Sequence, residues 1–234
     1  MLKRRGYSLL ELTIVLTIIS IMATAILAGK NLIKKSKLNS LVKEITELKN
    51  SVIIFRETYE ELPGDLSLAH SFFGTVNSCL NVDVNDNIDG CNGNGNGVIE
   101  FSAEGYRANQ HLVSAGLILD KVNGVSDELQ SKIMAGAKYH ILARCTIMGH
   151  ADMGKHCIQF GGADKGNNAA LFPKDLYIID NKLDDGKALS GFVRFRIATI
   201  VAIGNIVDLT TCGNSAGYHI NFNDLGCNLV MQLN

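Results

Sequence analysis

One carboxylate, Glu11, interrupts an otherwise uncharged apolar run from Tyr7 to Gly29. In a bilayer an unpartnered carboxylate costs about 2.5–3.5 kcal/mol or more, so this position asks for a cation partner rather than for acid–base turnover. Disulfide chemistry is the second theme. The six cysteines, Cys79, Cys91, Cys145, Cys157, Cys212 and Cys227, all lie beyond the first third of the chain. An even count beyond an apolar segment favours disulfides in an oxidising compartment. Spacing leaves the connectivity open, with the sequence-local pairs Cys79/Cys91, Cys145/Cys157 and Cys212/Cys227 as the simplest choice. The third theme is oxygen ligation. Asp83, Asn85, Asp86, Asn87 and Asp89 precede Asn92-Gly93-Asn94-Gly95-Asn96-Gly97-Val98-Ile99-Glu100. Alternating side-chain oxygens before an apolar residue suit calcium: Asp89, Asn92, Asn94 and Asn96 through side chains, Val98 through its carbonyl, and Glu100 or Glu104 for charge. The run departs from the standard twelve-residue loop, with Asn at the first position and Ala103 at the twelfth. A turn-forming Asn/Gly loop without metal is the competing reading.

Other chemistry is poorly supported. Cys145, His150, His156 and Cys157 offer four zinc ligands, but at no standard knuckle spacing. Neither Gly-x-Ser-x-Gly nor a phosphate-binding loop ending in Lys-Ser/Thr occurs. No catalytic constellation emerges, so the chain is not expected to be an enzyme, and calcium is the only cofactor the sequence suggests. A net charge of −1 gives no overall pull toward nucleic acid.

These residues need elements to place them. The run from Tyr7 to Gly29 is long enough for a membrane-spanning helix and too long for the apolar core of an ordinary secretory signal. Its Ser and Thr hydroxyls can bond back to helix carbonyls. Lys3, Arg4 and Arg5 precede it, while Lys30, Lys34, Lys35 and Lys37 follow it, so flanking charge does not set its orientation. Beyond Gly29 no proline appears until Pro63, and Leu38, Leu41, Ile45, Leu48, Val52, Phe55 and Tyr59 recur at alternating spacings of three and four. That is a helical seam, which either pairs in a coiled coil or packs on a following globular domain, the reading preferred here. Leu62-Pro63-Gly64-Asp65 should end the helix. Helices are predicted over 103–118 and from Pro173 to Asp184-Asp185-Gly186. Strands are predicted over Tyr139–Thr146, Phe192–Ile203, Tyr218–Phe222 and Leu229–Leu233.

The segment Gly6-Tyr7-Ser8-Leu9-Leu10-Glu11, behind a basic leader and ahead of an apolar run, resembles the type IV prepilin and type II secretion pseudopilin cleavage and methylation motif. Leu62-Pro63-Gly64-Asp65, the Asn/Gly loop and Ile179-Asp180-Asn181-Lys182-Leu183-Asp184-Asp185-Gly186 are also similar to segments of some bacterial pilin-like proteins. The resemblance implies cleavage after Gly6, N-methylation of Tyr7 and a role for Glu11 in assembly. Tyr stands where Phe is commoner. It implies an α+β fold, a long N-terminal helix packed on a small C-terminal antiparallel sheet domain. The expected divisions are a leader at 1–6, a transmembrane half-helix at 7–29, an exposed half at 30–62 and an extracytoplasmic domain at 63–234. The expected partners are the membrane, a prepilin peptidase, other pilin or pseudopilin subunits and an inner-membrane assembly platform, with the N-terminus cytoplasmic. A calcium-binding tip or adhesin subunit, and a bitopic membrane-anchored enzyme, are the alternatives.

Overall fold

The computed structural model describes residues 8–74, 91–100, 103–122, 124, 128–143, 156–162, 168–197, 199–200, 205–206 and 211–233. Gly6, Tyr7, Cys79, Asp89, Cys145 and His150 lie outside the described residues. The chain divides into two compact units, Met1–Ser40 and Leu41–Asn234.

Helix α1 runs from Leu9 to Tyr59. Its residues within the first unit carry large apolar side chains, Leu9 to Ile33, that are exposed on every side of the helix. Its residues within the second unit follow the seam instead: Leu41, Ile45, Leu48, Val52 and Phe55 are buried and Tyr59 is partly so. The seam is therefore covered by the chain's own globular domain. The helix stops where Glu60 turns left-handed at φ 62° and Pro63 removes a donor. Gly64 then adopts φ +90°, and a Cβ there would collide with the backbone oxygen of Glu104. Only glycine fits that turn.

The second unit is an α+β domain. Its sheet has the order β1 (Leu129–Gln130), β2 (Lys138–Leu142), β3 (Cys157–Gly161), β9 (Cys227–Gln232), β4 (Val193–Ile197), with all neighbours antiparallel. Ile141 pairs with Ile158, Ile158 with Met231, and Phe195 with Leu229. The central strands are buried along nearly their whole length, so both sheet faces are covered. Tyr139 and His140, adjacent on β2, point to opposite faces. The Tyr139 hydroxyl donates to Glu44 of α1 at 2.7 Å, an acceptor shared with the Ser131 hydroxyl and the Lys132 amide. His140 meets Tyr106 of α3 (Ala103–Ser114) edge-on, and Gly105 is so close to His140 that a Cβ would strike its ring. Helix α2 (Ala69–Phe73) adds Phe72 and Phe73 to the Phe55–Tyr59 aromatic cluster. Helix α4 (Pro173–Leu183) packs against β4 and β9.

Several boundaries differ from the sequence expectation. The strand predicted over Phe192–Ile203 is β4 followed by β5 (Thr199–Ile200), which pairs separately with β6 (Asn205–Ile206). The strand predicted over Tyr218–Phe222 shrinks to β8 (Gly217–Tyr218), paired with β7 (Gly213–Asn214). Asn221, Asn223 and Asp224 follow, and the Phe222 amide closes a turn onto His219 at 2.9 Å; short polar side chains favour such turns over a ladder. The helix predicted over 103–118 ends at Ser114. Strand β3 was not anticipated: Cys157-Ile158-Gln159-Phe160-Gly161 holds a buried Gln159, whose carbonyl is satisfied by Arg196 at 2.6 Å.

Candidate functional site

At the N-terminus of α1, the Glu11 carboxylate accepts the Ser8 amide at 3.2 Å. It thereby satisfies one of the donors left open in a first helical turn and lies at the favourable end of the helix dipole. Downstream, the hydroxyls of Thr13, Thr17, Ser20 and Thr24 donate to the carbonyls of Leu10, Ile14, Leu16 and Ile21, each at 2.8 Å. Their polarity is absorbed within the helix, which leaves an apolar outer surface suited to lipid or to neighbouring helices. By length and composition this helix is able to cross a membrane.

The Asn/Gly loop is organised around a residue the sequence reading treated only as a helix terminator. Asp65 is buried, and its carboxylate accepts the amides of Asn96 at 3.1 Å and Gly97 at 2.7 Å. Glu104, also buried, accepts the amides of Asn94 at 3.2 Å and Glu100 at 2.9 Å. Burial raises both carboxyls above the usual range, although these amides oppose the rise. The carbonyl oxygens expected as ligands also accept amides: Asn92 from His70, Asn94 from Asn96, and Asn96 from Val98. The latter two bonds are side-chain-to-backbone turns two residues long, the behaviour expected of Asn in a tight loop. Arg107 donates to the Asn92 carbonyl at 3.0 Å and fixes the loop to α3. Glu100 is exposed, and its amide rather than its carboxylate engages the cluster. The signal for Asp65 was present in Leu62-Pro63-Gly64-Asp65, but the contact spans 31 residues and left no local periodicity.

Cys212 is disulfide-bonded to Cys227, with their Cα atoms 5.2 Å apart. Cys91 and Cys157 are also disulfide-bonded. Among the described cysteines none is free. The zinc grouping dissolves accordingly: Cys157 is committed to a disulfide, and the His156 Nε2 accepts the Ile99 amide at 3.3 Å.

A family model described as the prokaryotic N-terminal methylation motif matches residues 1–27. The chain therefore carries the type IV prepilin-like signal at its N-terminus, the signal of a class of structural rather than catalytic proteins. Neither the curated proteins nor the solved structures give a match to the chain.

Proposed function

We propose that this chain is a prepilin-like filament subunit, cut between Gly6 and Tyr7, N-methylated on Tyr7 and polymerised through α1 into a type IV pilus or type II secretion pseudopilus. The observation that carries the reading is the match of the methylation motif to residues 1–27 on a helix whose first half exposes apolar side chains all round. In this scheme the apolar half rests in the inner membrane before assembly, with the leader cytoplasmic and the disulfide-bonded domain outside. The chemistry of the subunit is association. Cleavage creates an ammonium at Tyr7, and Glu11 of the same or a neighbouring subunit is the carboxylate within reach along the helix.

Replacing Glu11 by Ala tests the association step. Cleavage depends on the segment around Gly6, and folding of the second unit does not involve Glu11. Leaving a buried ammonium unpaired costs about 3–5 kcal/mol, a weakening of about a hundred-fold or more per contact. Glu11→Ala should therefore be processed and membrane-retained yet missing from sheared filaments. Incorporation at the wild-type level would remove Glu11 from the assembly mechanism. A calcium-binding tip subunit is a second reading, favoured by one observation: Asp65 and Glu104 bring two buried carboxyls to the Asn92–Glu100 loop.

A further inference from the structure

Asn92, Asn94 and Asn96 are each followed by glycine. With no Cβ on the next residue, its main-chain nitrogen can approach the asparagine side chain closely. Asn94 and Asn96 also follow glycine, so both stand in the same Gly-Asn-Gly setting and local sequence makes them equivalent. The fold separates them. The Gly97 amide donates to Oδ2 of Asp65 at 2.7 Å, within the reach of a general base. The Gly95 amide donates instead to the main-chain oxygen of Asp65 at 3.0 Å, and the Gly93 amide to that of Leu66 at 2.8 Å. A peptide oxygen accepts a hydrogen bond but does not take up a proton near neutral pH. Of these three steps, Asn96-Gly97 alone has a carboxylate on the nitrogen that would attack.

The electrophile is prepared as well. Oδ1 of Asn96 accepts the Val98 amide at 2.8 Å, the distance at which a donor stabilises the oxyanion of an acyl transfer. The ring closed by that bond contains both the Gly97 nitrogen and Cγ of Asn96. Asn96 and Gly97 are exposed, so water reaches them. We propose that Asn96 deamidates within the folded domain, with Asp65 as the general base. The Gly97 nitrogen bonds to Cγ of Asn96 while its proton passes to Asp65. The Val98 amide holds the negative charge that develops on Oδ1. The Cγ–Nδ2 bond then breaks, Asp65 returns its proton to the departing nitrogen, and ammonia leaves a cyclic imide behind. Water opens the imide at either carbonyl: attack at Cγ gives aspartate, and attack at the main-chain carbon gives isoaspartate. One water is consumed and one ammonia released, with no other reactant. Either product adds negative charge to a loop already held by Asp65 and Glu104. The isoaspartyl form also lengthens the main chain by one carbon, which loosens the grip of Asp65 on the loop. The inference is independent of filament assembly.

The test incubates the full-length chain in detergent micelles with chelator at neutral pH. Peptide mapping by mass spectrometry then reads the conversion of amide to acid separately at Asn92, Asn94 and Asn96. In the folded chain Asn96 should convert at least about tenfold faster than Asn94 or Asn92, a positioned base typically contributing more than that. In urea with the disulfides reduced, Asn94 and Asn96 should convert at the same rate, because their sequence setting is the same. Asp65→Asn keeps the shape of the side chain and an oxygen to accept the Gly97 amide, yet it should bring Asn96 down to the rate of Asn94. A retained thermal transition identifies a folded variant. Should that variant fail to fold, the comparison of folded and urea-unfolded wild type decides alone. Equal rates at Asn94 and Asn96 in the folded wild type would overturn the proposal. So would an Asn96 that stays intact while the urea-unfolded chain converts, or a folded Asp65→Asn chain that keeps the wild-type rate at Asn96.

Discussion

His111 shows how a single residue joins distant parts of the domain. Its Nδ1 accepts the Gly64 amide at 2.8 Å, and its Nε2, which must then carry the proton, donates to the Cys91 carbonyl at 2.8 Å. The ring stacks on Phe55 with centroids 5.9 Å apart. Complete burial pushes its pKa down to about 4, the nearby Arg107 guanidinium adding to the fall and the Cys91 bond opposing it. The unfolded chain would take up that proton at about 6.5 and the folded one would not, so the contribution is present above that pH and is lost as pH falls toward 4. At about 1.4 kcal/mol per unit, the loss approaches about 3 kcal/mol. The raised carboxyls of Asp65, Glu104 and Asp180 act in the opposite direction on acidification, so a melting curve mixes the effects. Imidazole nitrogen NMR isolates His111: it should stay neutral, with its proton on Nε2, down to about pH 5, and a midpoint near 6.5 would refute the assignment. In the sequence, His111 falls within the helix predicted over 103–118 and is one of six histidines spread along the chain. Its two backbone partners come from turns 47 and 20 residues away, which no local pattern encodes.

At the scale of elements, α1 was the most legible part of the chain, because a seam repeated every three or four residues records a continuous buried stripe. The same periodicity does not say what covers the stripe. The structure answers that with the sheet domain, anchored where Glu44 meets Ser131, Lys132 and Tyr139. Phe55 is the most enclosed aromatic of the seam, fully buried and 4.5 Å from the Tyr59 ring centroid. Phe55→Ala should cost about 3–5 kcal/mol of domain stability, measured as a lower urea midpoint with intact disulfides. A change under about 1 kcal/mol would mean the seam is not the docking face described here. Helix α4 was readable for a similar reason, with Pro173 at its first turn and Leu176 and Ile179 turned inward. The sheet was less so. Strand β3 is only five residues long, carries a polar Gln159 and starts at a cysteine, so composition pointed toward a loop or a ligand cluster. Beyond β8, turn chemistry overrode an alternating pattern. The Cys212–Cys227 bond, closing a 15-residue separation, adds about 3 kcal/mol by loop entropy and fixes the hairpin without a long ladder.

For the whole molecule, the two units carry two kinds of surface. Apolar side chains surround α1 from Leu9 to Ile33, while the second unit buries much of its apolar surface and holds its described cysteines in disulfides. In the proposed scheme, membrane insertion of the first and an oxidising compartment for the second satisfy both demands. In that scheme the methylation motif at residues 1–27 adds the step between them, the release of the helix from its leader for assembly. That processing is the central claim. It is tested most directly by mass spectrometry of the protein's N-terminal peptide after co-expression with a prepilin peptidase. The account predicts a chain that begins at Tyr7 and carries one methyl group on its amine, while a Gly6→Ala precursor keeps residues 1–6. Protein that still begins at Met1 in the presence of active peptidase would contradict it.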